Sequence, residues 1–105
     1  MIDQGRIDEA VKLLKRAAPK ATIILFGSYA RGDARPDSDL DFLVVMPQAR
    51  DRYKEMVRLA EVLRPLRLPA DIIVVSRDRF DYWRDTPNTL VNRAATEGKV
   101  YEQVA

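Results

Sequence analysis

The sequence contains no cysteine and no histidine. Without cysteine there are no disulfides and no thiolate zinc site, which suits a reducing compartment and predicts a cytoplasmic protein. Without histidine there is no imidazole base, no Ser-His-Asp relay and no His-ligated metal. Chemistry in this chain must run on carboxylates, guanidinium and ammonium groups, hydroxyls, and whatever cation carboxylate oxygens can hold. Aromatic residues are scarce, at 8%. No apolar stretch approaches the roughly 20 residues that cross a bilayer. The opening MIDQGRIDEA is polar and does not read as a signal peptide. No block of one charge sign stands out, because 18 basic and 16 acidic residues are interspersed, for a net charge of +2. That balance admits an anionic small ligand such as a nucleotide but gives no footprint for direct nucleic-acid binding.

What is present, 105 residues with 47% hydrophobic content, predicts one domain with one core over residues 1–105. Helical spacing puts Ile7, Ala10, Val11, Leu14 and Ala17 on one face of residues 3–18, and Pro19 ends that helix. Residues 22–26, TIILF, are a short run rich in β-branched side chains and predict a strand buried on both faces. Residues 27–38 read as a loop, and Leu40 to Val45 as a second apolar strand closed by Met46-Pro47. Residues 50–64 predict a second amphipathic helix with Tyr53, Met56, Val57, Ala60 and Leu63 inward. Beyond Pro65 and Pro69, Asp71 opens a third strand, IIVVS, and residues 77–83, RDRFDYW, read as a helical turn. Thr86 and Pro87 predict the cap and first position of a last helix that buries Leu90, Val91, Ala94 and Ala95 and closes at Gly98. A helical crossover between the second and third strands predicts that they are parallel. If the first strand pairs antiparallel with the second, Gly27, Ser28, Asp39, Asp41 and Asp71 gather at one edge of one sheet. The fold class is α/β (α+β), a small mixed sheet flanked by helices.

Asp39 and Asp41 are one residue apart, so on a strand they point to one face. At about 7 Å and an effective dielectric near 20, their repulsion costs about 2 kcal/mol, and Asp71 adds to it. A hard divalent cation such as Mg²⁺ reverses that sign, holding one or two carboxylates together with phosphate oxygens. Three carboxylates can hold two such ions, the arrangement used for in-line displacement at phosphorus. Gly27 lets backbone N–H groups approach a phosphate closely, and the Ser28 hydroxyl can hydrogen-bond it. Arg31 and Arg35 can each bind a phosphate oxygen. Taken one at a time, each feature has an ordinary alternative. Acids beside a serine cap or solvate turns, Gly-Ser often follows a strand, Asp71 can simply begin one, and loop arginines are often solvated.

Taken together they form a pattern: Gly27-Ser28, ten residues, then Asp39-Leu40-Asp41 between apolar strands. This resembles the DNA polymerase β-like nucleotidyltransferase superfamily, whose fold is palm-like. The string GSYARGDARPDSDLDFLVV is similar to its small stand-alone branch, the minimal nucleotidyltransferases (MNT type), where G-S-x-A-R-G and S-D-x-D recur. The resemblance covers essentially the whole chain. It implies that Gly27, Ser28, Arg31 and Ser38 bind the nucleotide, and that Asp39, Asp41 and Asp71 hold Mg²⁺, in a two-metal site, and carry catalysis on ATP. Asp71 would activate the acceptor hydroxyl.

Larger members of that superfamily add a helical domain that positions the acceptor, and nothing of that size is expected here. The MNT resemblance implies a separate partner, a HEPN-type toxin. The chain would then act as its antitoxin by transferring AMP to a toxin tyrosine. Phe80, Tyr82 and Trp83 cannot all face inward from one short turn, so they offer either an interface or a satellite core. Two other readings differ in class: a binding module that neutralises its partner by contact alone, and a transferase acting on a small molecule. The carboxylate reading predicts that Asp41→Asn slightly stabilises the metal-free protein, because it removes repulsion. Chemical denaturation checks this, and a markedly less stable variant would mean that the acids serve structure.

Overall fold

Asp3 starts the first helix in the computed structural model, which describes residues 1–101. Its carboxylate accepts the Arg6 backbone N–H at 2.9 Å, satisfying one of the donors a helix start leaves open. Helix α1 (Gln4–Ala17) then buries Ile7, Ala10, Val11 and Leu14, the stripe its spacing predicts. Strands β1 (Thr22–Phe26), β2 (Leu40–Met46), β3 (Ala70–Ser76) and β4 (Lys99–Tyr101) make one sheet in the order β3-β2-β1-β4. Strand β1 runs antiparallel to β2, the condition under which the candidate residues gather, and β2 runs parallel to β3 as predicted. Between the parallel strands lies helix α3 (Arg52–Leu63), capped by Asp51 and followed by a tight turn at Arg64–Leu66. Helices α4 (Arg77–Trp83) and α5 (Leu90–Glu97) follow β3.

Strand alternation divides the interior in two. Ile23, Leu25, Phe42, Val44, Ile72 and Val74 pack in one cluster with α1 and with Leu59 and Leu63 of α3. Ile24, Phe26, Leu43, Val45 and Val75 pack in the other, with Phe80 of α4 and Val91 and Ala94 of α5. Asp41 lies between Leu40 and Phe42, so it points to the second face, the one α5 partly covers. Among the described residues no helix is long and apolar enough to cross a membrane.

Several local expectations need correction. The stretch 27–38 is not all loop, since Ser28–Arg31 forms a one-turn helix, α2. On α3 the inward side chains are Leu59 and Leu63, with Met56 half-buried, while Tyr53 is 75% exposed and Val57 and Ala60 also face out. This helix carries two apolar stripes, and the purely aliphatic leucines bury against α1 and β3 in preference to the other, whose Tyr53 carries a polar hydroxyl. Residues 77–83 form nearly two helical turns, capped by the Ser76 hydroxyl, and only Phe80 is buried. Tyr82 and Trp83 are exposed and meet edge to face with centroids 4.9 Å apart. The last helix begins at Leu90 with Thr89 as its cap, not at Thr86 and Pro87. Asn88 adopts a left-handed φ of 67°, which no helix can incorporate, and the Thr89 hydroxyl accepts the Asn92 N–H at 3.1 Å instead. Strand β4 was not expected at all. It is three residues long and owes its place to pairing with β1.

Gly98 joins α5 to β4, and its N–H donates to the Ala94 carbonyl at 3.0 Å. A Cβ there would collide with that same carbonyl oxygen and with Ile24 Cγ2. Gly98→Ala should therefore destabilise the fold by roughly 1–3 kcal/mol, as overpacking does. Thermal denaturation measures the loss, and faster amide exchange at Lys99 and Tyr101 would place it at β4.

Candidate active site

The register of the sheet decides what meets what at its edge. Phe26, the last residue of β1, pairs with Asp41, and Asp41 pairs with Asp71 across the parallel ladder. Two carboxylates thus stand side by side on adjacent strands, on one face, next to the point where β1 hands over to Gly27 and Ser28. One edge of α5 closes the space. Val91 and Ala94 turn to the sheet, so Leu90, Arg93 and Glu97, three and four residues apart, lie along the cleft. The cleft has a volume of about 550 Å³, within the roughly 300–1,000 Å³ common for small-molecule sites. Gly27, Ser28, Arg31, Asp41 and Asp71 line it, with apolar wall from Phe26, Met56, Ile73 and Leu90.

Gly27 is required twice over. Its φ of 78° with ψ of −155° belongs to glycine alone, and a Cβ would overlap Asp41 Oδ2. The bare backbone is what lets the Asp41 carboxylate lie against the strand end. The Gly27 carbonyl accepts the N–H groups of Ala30 and Arg31 at 3.1 and 3.0 Å, which winds Ser28 into the first position of α2. Gly32, at φ 87°, ends that turn.

Asp41 is half-buried, and its carboxyl is held above the ordinary aspartate value. Burial is the main cause, the negative charges of Asp71 and Asp39 add to it, and Arg31 opposes it. Negative charge is therefore in excess at the strand starts. Asp71 is exposed beside it. Asp39 precedes β2, exposed and outside the cleft lining, yet near enough to repel Asp41. Among the described residues no three acidic side chains converge into a ready-made ligand set. The donors fit a hard divalent cation that draws its remaining ligands from phosphate and water, since they offer only carboxylate oxygens with uncompensated charge.

Arg31 lines the cleft from the end of α2. It donates from Nη1 to Glu97 Oε1 at 3.1 Å and from Nε to Asp33 Oδ2 at 3.4 Å. Those hydrogen bonds, Asp33 first, raise its pKa further above the arginine value. Ser38 lies outside the cleft lining, where its hydroxyl accepts the Arg35 N–H at 2.9 Å and closes the turn before β2. Arg35 is exposed and also outside the lining. The sequence reading missed Arg93, Glu97 and the apolar wall. The one available signal was the spacing of Leu90, Arg93 and Glu97, which gains meaning only when α5 is known to lie across the sheet.

No curated protein matches the chain. Solved structures do. One is a complex of a tri-AMPylated HEPN toxin with MNT antitoxin from Shewanella oneidensis. It is 24% identical with a TM-score of 0.62 over 94% of this chain and 71% of that one, a likeness of fold. A toxin–antitoxin complex with AMP-PNP is 28% identical with a TM-score of 0.56, over 94% of this chain and 72% of that one. A mutant of the toxin–antitoxin pair MntA–HpeT is also 28% identical, with a TM-score of 0.60 over 96% and 72%. The family model described as "Nucleotidyltransferase domain" matches residues 7–101, which takes in all four strands and every residue of the cleft. The chain belongs to the nucleotidyltransferase domain family, and it is a nucleotidyltransferase.

Proposed function

We propose that the chain transfers AMP from ATP to a hydroxyl of a partner protein, a HEPN-type toxin, and so acts as the antitoxin of the pair. The observation that carries this is the in-register pair Asp41 and Asp71 beside Gly27-Ser28 in one cleft. This supports a reading in which carboxylates for a metal-bound phosphate stand beside a turn that takes the phosphate chain. Support for the partner and the nucleotide comes from the 28%-identical neighbours, which are toxin–antitoxin complexes, one of them with the ATP analogue AMP-PNP.

In this reading Gly27 and Ser28 receive the triphosphate through backbone N–H groups and the Ser28 hydroxyl. Arg31 flanks the phosphates, and Ser38 holds the turn that delivers Asp39 and Asp41. When bound by Asp39, Asp41 and Asp71, Mg²⁺ would neutralise the phosphate oxygens and lower the pKa of the attacking hydroxyl. The hydroxyl oxygen forms a bond to the α-phosphorus as the bond to pyrophosphate breaks. Asp71, the more open of the pair, accepts the proton that hydroxyl loses. The exposed Tyr82 and Trp83 supply aromatic surface for a partner.

The test incubates the chain with α-labelled ATP, Mg²⁺ and the product of the neighbouring gene. Label should move to a tyrosine of that partner, and Asp39→Asn with Asp41→Asn should reduce transfer at least about a hundredfold, as loss of electrostatic catalysis does. Neutralisation that survives intact in the double variant would show that contact suffices. A second prediction follows from the Asp41 carboxyl. Because its folded-state pKa is raised, the folded protein holds this proton more firmly than the unfolded chain does. That contribution to stability is complete at low pH and is lost as pH rises through the folded value. Without metal, Asp41→Asn should match the wild type in acid and become the more stable of the two towards neutrality. Paired denaturation curves across that range check it, and a gap independent of pH would contradict the repulsion.

A further inference from the structure

The cleft holds two guanidinium groups in different states. Arg31 is engaged by Asp33 and Glu97. Arg93 lines the same cleft, is exposed, and among the described residues makes no ion pair and no side-chain hydrogen bond. Glu97 lies four residues on, the helical spacing at which an Arg–Glu pair can form, yet its carboxylate goes to Arg31 instead. With Arg31 and Glu97 cancelling, the charges left in the cleft are Asp41, Asp71 and Arg93. Once a cation has compensated the carboxylates, Arg93 is the positive group remaining for an anionic substrate. A guanidinium suits phosphate, because its planar fork can give two parallel charge-assisted hydrogen bonds.

We infer that Arg93 anchors the triphosphate from the α5 wall, while Glu97 and Asp33 hold Arg31 as a fixed side of the cleft. The assignment rests on the reading that this cleft takes a nucleoside triphosphate. It makes Arg93 a positioning residue that no short motif reveals, and it places the decisive phosphate contact more than fifty residues beyond the glycine-serine turn.

The experiment uses the full chain with Mg²⁺ and a labelled ATP, displaced by unlabelled ATP or by inorganic tripolyphosphate, with inhibition constants determined for each. Arg93→Ala should weaken both competitors about tenfold, the effect of losing a charge-assisted contact to phosphate. Arg93→Lys should keep both within about threefold of the wild type, since the charge survives without the fork. Both variants should melt with the wild type, because the side chain is exposed and, among the described residues, unpaired. Weakening of ATP with tripolyphosphate unchanged would move Arg93 to the base and overturn the assignment. Unchanged constants for both competitors would make it a bystander. A wild type that holds no labelled ATP would overturn the reading of the cleft itself, an outcome visible before any variant is made.

Discussion

The structure turns on a repulsion it does not relieve. Asp41 and Asp71 are fixed opposite each other by a parallel ladder that pairs seven consecutive residues, from Leu40 with Ala70 to Met46 with Ser76. Slipping the register by one residue would turn the whole apolar set of β3 to the wrong face, so the aliphatic core holds the acids together. Gly27 tightens the arrangement further, because the strand end comes so near Asp41 that no side chain fits between them. Half-burial then raises the Asp41 carboxyl before any neighbour is counted. Hydrophobic burial thus supports a local electrostatic penalty, and a bound cation with a phosphate chain would offset that penalty.

The remainder of the cleft complements this edge. Helix α5 is anchored to the sheet by Val91 and Ala94, and Gly98 lets its end come close to Ile24. That docking gives one helix edge, Leu90, Arg93 and Glu97, to the cleft wall. Glu97 then immobilises Arg31 from across the space, so two elements distant in sequence share one ion pair. The ion pair is partly exposed, and its value lies in placing the guanidinium more than in stability.

The nucleotidyltransferase family model takes in every residue that lines the cleft. One strand register sets Asp41 and Asp71 side by side, Gly27 allows the close approach to Asp41, and one short helix brings Ser28 to the same cleft. The outward aromatic pair Tyr82 and Trp83, flanked by arginines, is separate from that machinery and belongs to the surface.

The sequence by itself determined the positions of β1, β2 and β3, the first helix, the parallel pairing of β2 with β3, and, given an antiparallel β1, the gathering of Gly27, Ser28, Asp41 and Asp71. These are local or near-local facts. Alternation sets which face a strand residue takes, and a helical crossover sets strand direction. Only the tertiary structure decided the rest. Helix α3 carries two apolar stripes, and packing against α1 and β3 chose Leu59 and Leu63 over Tyr53 and Val57. Asn88 took a left-handed turn that moved the start of α5 to Leu90, and β4 formed because β1 offered it an edge. Arg93 and Glu97 reached the cleft for the same reason. A helical side chain acquires a site from what its helix lies against, and that is a long-range property that spacing along the chain does not encode.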